Sequence, residues 1–300
     1  MSWPFFMPII IASRSFFAIF ETQIHTTMKK LLLIATALLI CAGVYAQTTY
    51  KTIENVSYLL EKSNDSYKNE RCKLDLYYPE NVENFPTVVW FHGGGLTAGS
   101  KALLNEFKNK GIAIAAVNYR LSPKATHPAY IEDAAEAIAW VFKTIGKYGG
   151  SDKQIYVVGH SAGAYLSLMV ALDKRYLAKH GIDSDSVAAY FPISGQGVTH
   201  NTIRREKGLS TTIPIIDEYA ALYHVRPDTP PIILFTGDRN TELANRWEEN
   251  VLLESVLRNV GNKGVKLFEL QGFNHDTVWP PACIYAANYI RQMARRANAK

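Results

Sequence analysis

One pentapeptide restricts this chain more than any other feature: Gly159-His160-Ser161-Ala162-Gly163. It follows the apolar run Gln154-Ile155-Tyr156-Val157-Val158, which has the character of a buried strand, and precedes Ala164 to Leu172, which reads as a helix. A strand that turns directly into a helix leaves no room for side chains at the turn, so glycines must flank it. The serine is pushed out at the end of the strand, over the helix N-terminus. There, free N–H groups and the helix dipole favour developing negative charge. G-x-S-x-G in this setting is a nucleophile elbow, and Ser161 is its candidate nucleophile.

The remaining sequence supplies the alternation such a turn needs. Lys73 to Tyr78 alternates and stops at Pro79, like a half-exposed edge strand. Continuous apolar runs at 87–91, 112–117, 187–193 and 231–235, and the mixed stretch Val265 to Leu270, read as further strands. Helical patterns fall at 101–110, 131–148, 243–260 and 282–297. Together they predict an α/β fold, with a mostly parallel central sheet, helices on both faces and active groups beyond the strands' carboxyl ends. Between Ser194 and Pro230 the pattern weakens around Arg204-Arg205-Glu206-Lys207 and Pro214, so residues 195–230 are expected to form an insertion that acts as a lid or binding loop. No linker divides residues 47–300, which are expected to be a single domain.

Residues 1–46 read differently. Met28-Lys29-Lys30 is a charged start, residues 31–44 are apolar, and Val44-Tyr45-Ala46 places small residues before Gln47. That is a secretory signal peptide starting at Met28, with residues 1–27 as an upstream extension. Cleavage between Ala46 and Gln47 leaves a secreted or periplasmic protein with no stable membrane span. Alternatives are a membrane anchor over Trp3 to Phe20 and a lipid attached at Cys41, although Ile40 is bulky for the latter. Without residues 1–46 the net charge falls from +5 to about +3, with no basic run, which gives no support for nucleic-acid binding. Cys72 and Cys283 remain, too few for a disulfide framework or a metal site, and are read as unpaired.

A serine hydroxyl needs a base to take its proton, and the base needs a carboxylate to orient it. His275 follows the last expected strand in Gln271-Gly272-Phe273-Asn274-His275, and Asp238 follows the preceding one in Thr236-Gly237-Asp238. The order Ser161, Asp238, His275 suits the elbow architecture. Glu242, placed in the following helix, and Asp276, which adjoins the histidine, are rivals for the acid. Trp90-Phe91-His92-Gly93-Gly94-Gly95 lets backbone N–H groups approach an oxyanion. Gly94, Gly95 and Ala162 are the candidate donors; His92 is expected to brace the loop, and His160 to pack.

Together with Asn118 to Pro123, Glu132-Asp133-Ala134, Tyr148 to Asp152 and Gly272 to His275, these stretches resemble the α/β-hydrolase superfamily over residues 70–295. The similarity is to its esterase/lipase branch related to hormone-sensitive lipase. The resemblance implies an α/β-hydrolase fold with a small cap or insertion, an oxyanion hole in the three-glycine loop, an acyl-enzyme on the serine and no cofactor. Two departures stand out: His160 replaces a common aspartate, and residues 47–72 are short for a two-helix cap. The chain also looks like polysaccharide-decorating esterases and aryl formamidases. The expectation is a serine carboxylesterase acting on glycan-linked or small xenobiotic esters, with Tyr219 and Tyr223 as pocket walls. The alternatives are an amidase-type hydrolase, such as a formamidase or exopeptidase, and a non-catalytic binding module.

Overall fold

The computed structural model describes residues 23, 25–33 and 48–298, and the chain divides into two units, Met1–Gln47 and Thr48–Lys300. In the first unit, residues 25–33 are helical, with Met28 and Leu31 to Leu33 exposed. The expected cleavage site, Cys41 and the Trp3–Phe20 segment lie outside the described residues. Among the described residues no helix is long and apolar enough to cross a membrane.

The second unit is built on an eight-stranded sheet. In chain order its elements are β1 (Tyr50–Ser57), α1 (Ser66–Arg71), β2 (Lys73–Pro79), β3 (Phe85–Phe91), β4 (Ala113–Val117), α2 (Ala129–Thr144), β5 (Gly150–His160) and α3 (Ala162–Leu172). They continue with α4 (Arg175–Ala178), β6 (Ala189–Ile193), α5 (Asn201–Glu206), β7 (Ile233–Gly237), α6 (Arg246–Asn259), β8 (Lys266–Leu270) and α7 (Trp279–Asn298). The strand order is β1-β2-β4-β3-β5-β6-β7-β8, antiparallel through β1, β2 and β4 and parallel beyond.

Alternation along the strands divides the core into two layers. On β3, Val89 and Phe91 face α2 and α3, while Val88 and Trp90 face α7. All seven residues of β3 are buried, as expected of a parallel strand covered on both sides. Cys72 and Cys283 are unpaired and buried, one in each layer.

Three expectations are corrected. The strand over 73–79 is not an edge, because β1 pairs outside it. β1 is hard to see in the sequence because its register shifts between Ile53 and Val56, where Asn55 has φ 56°, so the two-residue period breaks. Residues 101–110 form turns and no helix. Tertiary ties take precedence over local propensity there: the Lys101 amide donates to Asn118 Oδ1 at 2.6 Å, and Lys101 Nζ pairs with Asp75 at 2.6 Å. Finally, the helix expected from Leu243 starts at Arg246, which leaves Glu242 in a turn.

Candidate active site

The chain leaves β3 for β4 on one side, while β5 lies on the other. That reversal opens a crevice at the strands' carboxyl ends, where ligands of open α/β sheets bind. The three-glycine loop leaves β3 at this crevice and Ser161 leaves β5. β6, β7 and β8 then deliver Ser194, Glu242 and His275 in turn.

At the elbow, Ser161 has φ 54° and ψ −113°, a conformation a non-glycine residue holds at a cost on the order of 1–3 kcal/mol. Its amide donates to the Ile193 carbonyl at 2.8 Å, and its carbonyl accepts from the Tyr165 amide at 3.0 Å. A Cβ on Gly159 would lie 2.2 Å from the Gly163 carbonyl oxygen, and one on Gly163 would lie 2.1 Å from that of Phe91. The second contact shows how closely the end of β3 rides on the first turn of α3. Gly94 closes a turn by accepting from the Thr97 and Ala98 amides at 3.0 Å each. The amides of Gly94, Gly95 and Ala162 make no hydrogen bond among the described residues, which leaves them available as donors.

His92 holds this loop as a neutral ring. Burial pushes its pKa down to about 4, with Arg71 adding to the effect. Its Nδ1–H donates to the Gly93 carbonyl at 2.7 Å, while Nε2 accepts from Arg71 Nη2 at 3.3 Å. The ring stacks on Tyr119, 4.5 Å between centroids.

His275 Nε2 lies 2.9 Å from Ser161 Oγ, and Nδ1 lies 3.0 Å from Glu242 Oε2. An ionised carboxylate only accepts, so Nδ1 carries the proton and Nε2 is free to accept from the serine hydroxyl. The Glu242 side chain is almost fully buried. Burial alone would raise its pKa, but hydrogen bonds from His275, Ser194 and the Leu243 and Gly237 amides outweigh that and hold it at about 2.

Asp238, the first candidate for the acid, does not meet His275. Its Oδ1 accepts from the Asn240 amide and side chain at 2.9 Å each, and Oδ2 accepts from the Gly272 amide at 3.1 Å. These bonds, led by the two amides, lower its pKa and make it a clasp between the turn after β7 and the histidine loop. The carbonyl of Asp238 accepts from the Thr241 and Glu242 amides at 2.9 Å, and this turn brings Glu242 back beneath His275. Gly237 permits the approach: a Cβ there would lie 2.5 Å from the Phe273 carbonyl oxygen and 3.2 Å from Glu242 Cγ.

Two further residues join the cluster. His160, expected only to pack, donates from Nε2 to the His275 carbonyl at 2.9 Å and so fixes the backbone of the candidate base. Burial, reinforced by the nearby His275 ring, keeps it neutral with a pKa of about 4. Ser194, which no motif marks, donates its hydroxyl to Glu242 Oε1 and lies 2.9 Å from His275 Nδ1.

Tyr219 lies elsewhere. It lines a cleft of about 500 Å³ with His127, Tyr176 and Glu206, and this cleft includes none of Ser161, Glu242 and His275. Tyr223 is largely exposed beside a neighbouring cleft. The insertion nevertheless touches the site through Thr202, whose hydroxyl donates to the Gly95 carbonyl at 2.5 Å.

Residues 74–192 match the BD-FAE family. A probable isoprenylcysteine alpha-carbonyl methylesterase ICME of Oryza sativa subsp. japonica is 29% identical over 235 residues, covering 70% of this chain and 56% of that protein. Esterase LipQ of Mycobacterium tuberculosis is 25% identical over 212 residues, covering 63% and 50% respectively. The chain thus spans about half the length of the curated relatives it matches. Among solved structures, a truncated form of carbohydrate esterase from gut microbiota aligns with a TM-score of 0.65 at 19% identity, covering 85% of this chain and 99% of that one. A hyperthermophilic esterase from Pyrobaculum calidifontis aligns at 0.62 with 20% identity, covering 90% and 93%. With this sheet and this elbow, and with its likeness to solved esterases, the chain has the α/β-hydrolase fold, and the curated proteins it resembles are named esterases.

Proposed function

We propose that the protein is a serine carboxylesterase. The observation that carries this is the unbroken relay from Ser161 Oγ through His275 to Glu242 Oε2, at 2.9 and 3.0 Å, beside three free backbone donors. Ser161 Oγ attacks the ester carbonyl carbon while His275 Nε2 takes the hydroxyl proton. The amides of Gly94, Gly95 and Ala162 receive the oxyanion; each such donor is typically worth about 10²–10³ in rate. Collapse of the tetrahedral adduct expels the alcohol, which leaves with the proton from His275. Water, deprotonated by the same imidazole, then attacks the acyl carbon; the bond to Ser161 Oγ breaks, Oγ takes the proton back from His275 Nε2, and the carboxylic acid is released. Glu242 holds the Nδ1–H tautomer throughout and stabilises the imidazolium.

The substrate class we favour is small esters and acyl groups carried on glycans. Named esterase relatives and the fold likeness to a carbohydrate esterase support it. The charged start at Met28 and the small residues before Gln47 support action outside the cytoplasm. A fluorophosphonate should label Ser161, and Ser161→Ala should abolish both labelling and hydrolysis of a short p-nitrophenyl ester. Full activity in that variant would sink the mechanism. Acetylated and feruloylated sugars set against simple acyl esters test the substrate class: a preference for the simple esters would remove the glycan assignment.

A further inference from the structure

We propose that Ser194 is a positioning residue that completes a four-member relay, Ser161–His275–Glu242–Ser194, by fixing the Glu242 carboxylate against the imidazole. The inference rests on the esterase reading above. Ser194 is fully buried at the end of β6 and has φ 53°, a left-handed conformation that favours glycine. Its backbone is held at both ends. The amide donates to the Phe235 carbonyl at 2.7 Å, and the carbonyl accepts from Nη1 of Arg246. Arg246 is itself buried, its guanidinium makes no ion pair among the described residues, and the bond to the Ser194 carbonyl is that guanidinium's one hydrogen bond there.

Clamped in this way, the hydroxyl has one useful orientation. It donates to Glu242 Oε1 and presents a lone pair to His275 Nδ1–H, which is shared with Glu242 Oε2. The three side chains form a closed triangle. Oε1 also accepts from the Gly237 amide at 3.1 Å and Oε2 from the Leu243 amide at 2.9 Å, so the carboxylate plane is fixed. Without the Ser194 hydroxyl, Oε1 keeps only the Gly237 amide and the carboxylate can rock away from Nδ1. That loosens the base, whereas groups that bind substrate are untouched.

The test uses Ser194→Gly and Ser194→Ala, alone and combined with Glu242→Gln. Glycine tolerates the left-handed backbone, so Ser194→Gly is expected to fold at least as stably as the unaltered protein. Both single variants should lower kcat on a p-nitrophenyl ester by about 10- to 100-fold, the worth of one hydrogen bond to a charged group, with KM nearly unchanged. In the Glu242→Gln background the same changes should cost less than about threefold, since members of one unit are not additive. A Ser194→Gly enzyme with full kcat, or an undiminished loss in the Glu242→Gln background, would overturn the relay and leave the esterase reading intact. An unaltered protein that neither hydrolyses the ester nor takes fluorophosphonate on Ser161 would overturn both.

Discussion

At the carboxyl ends of β3 and β5 the site is made of backbone. The proposed oxyanion donors are amides of Gly94, Gly95 and Ala162, and Gly159 and Gly163 let strand, loop and helix approach within a carbonyl's reach. At the ends of β6, β7 and β8 it is made of side chains. Ser194, Glu242 and His275 reach across from three separate turns to meet at a single ring nitrogen. The first region is specified by what cannot fit, the second by where each turn releases a side chain. The two should therefore fail differently when altered.

The largest expected effect on stability is in the backbone region. Gly163→Ala drives a Cβ to 2.1 Å from the Phe91 carbonyl oxygen and 2.7 Å from that of His92, atoms that cannot move aside. It should destabilise the fold by about 3 kcal/mol, the upper part of the range for overpacking, as read by urea unfolding. Gly272→Ala, in the histidine loop, meets nothing within 4 Å and is strained only by φ 81°. Its cost should be about 1 kcal/mol. Equal losses at the two glycines would erase the contrast.

Acid should weaken both regions together. Burial holds His92 and His160 near pKa 4 and His200 near 3, against an ordinary 6.5. Between pH 6.5 and 4 the unfolded chain takes up protons that the folded chain refuses, so stability falls as pH falls through that window. Below pH 4.5, protonation of the unfolded chain's Glu242 adds to the loss, because the folded carboxylate stays ionised down to about 2. Urea midpoints that stay flat from pH 7 to 4 would contradict this. A similarly small effect concerns the elbow itself: Ser161→Gly should be more stable than Ser161→Ala by about 1 kcal/mol, because only glycine relaxes at φ 54°.

The backbone region was legible in the sequence for a physical reason. Steric exclusion writes itself as glycines, and Gly93-Gly94-Gly95 and Gly159-x-Ser161-x-Gly163 stand out without any structure. His275 was legible because it directly follows the last strand. The proposed acid, Glu242, stands in the sequence only as a rival to Asp238, since its reach depends on where α6 begins. A helix starting at Leu243 would have carried Glu242 away, whereas the start at Arg246 leaves a turn that folds it back. Asp238 occupied the conspicuous position after β7, yet its carboxylate is tied to the Asn240 and Gly272 amides. Ser194 carries no sequence signal, because a serine after a strand is ordinary until its hydroxyl is seen against Glu242. The non-helical 101–110 segment is illegible for a related reason: its conformation is set by Asp75 and Asn118, residues distant in the sequence.

The most direct measurement compares kcat of Glu242→Gln and Asp238→Asn on one p-nitrophenyl ester, with both variants first checked for cooperative unfolding. Glu242→Gln should lose about 10³–10⁴-fold, the scale seen when a catalytic imidazole loses the carboxylate that fixes its tautomer. Asp238→Asn, which loosens only a loop clasp, should stay within about tenfold of the unaltered protein, well short of the loss expected for a residue acting in the transition state. A severe loss at Asp238 with a mild one at Glu242 would contradict the relay.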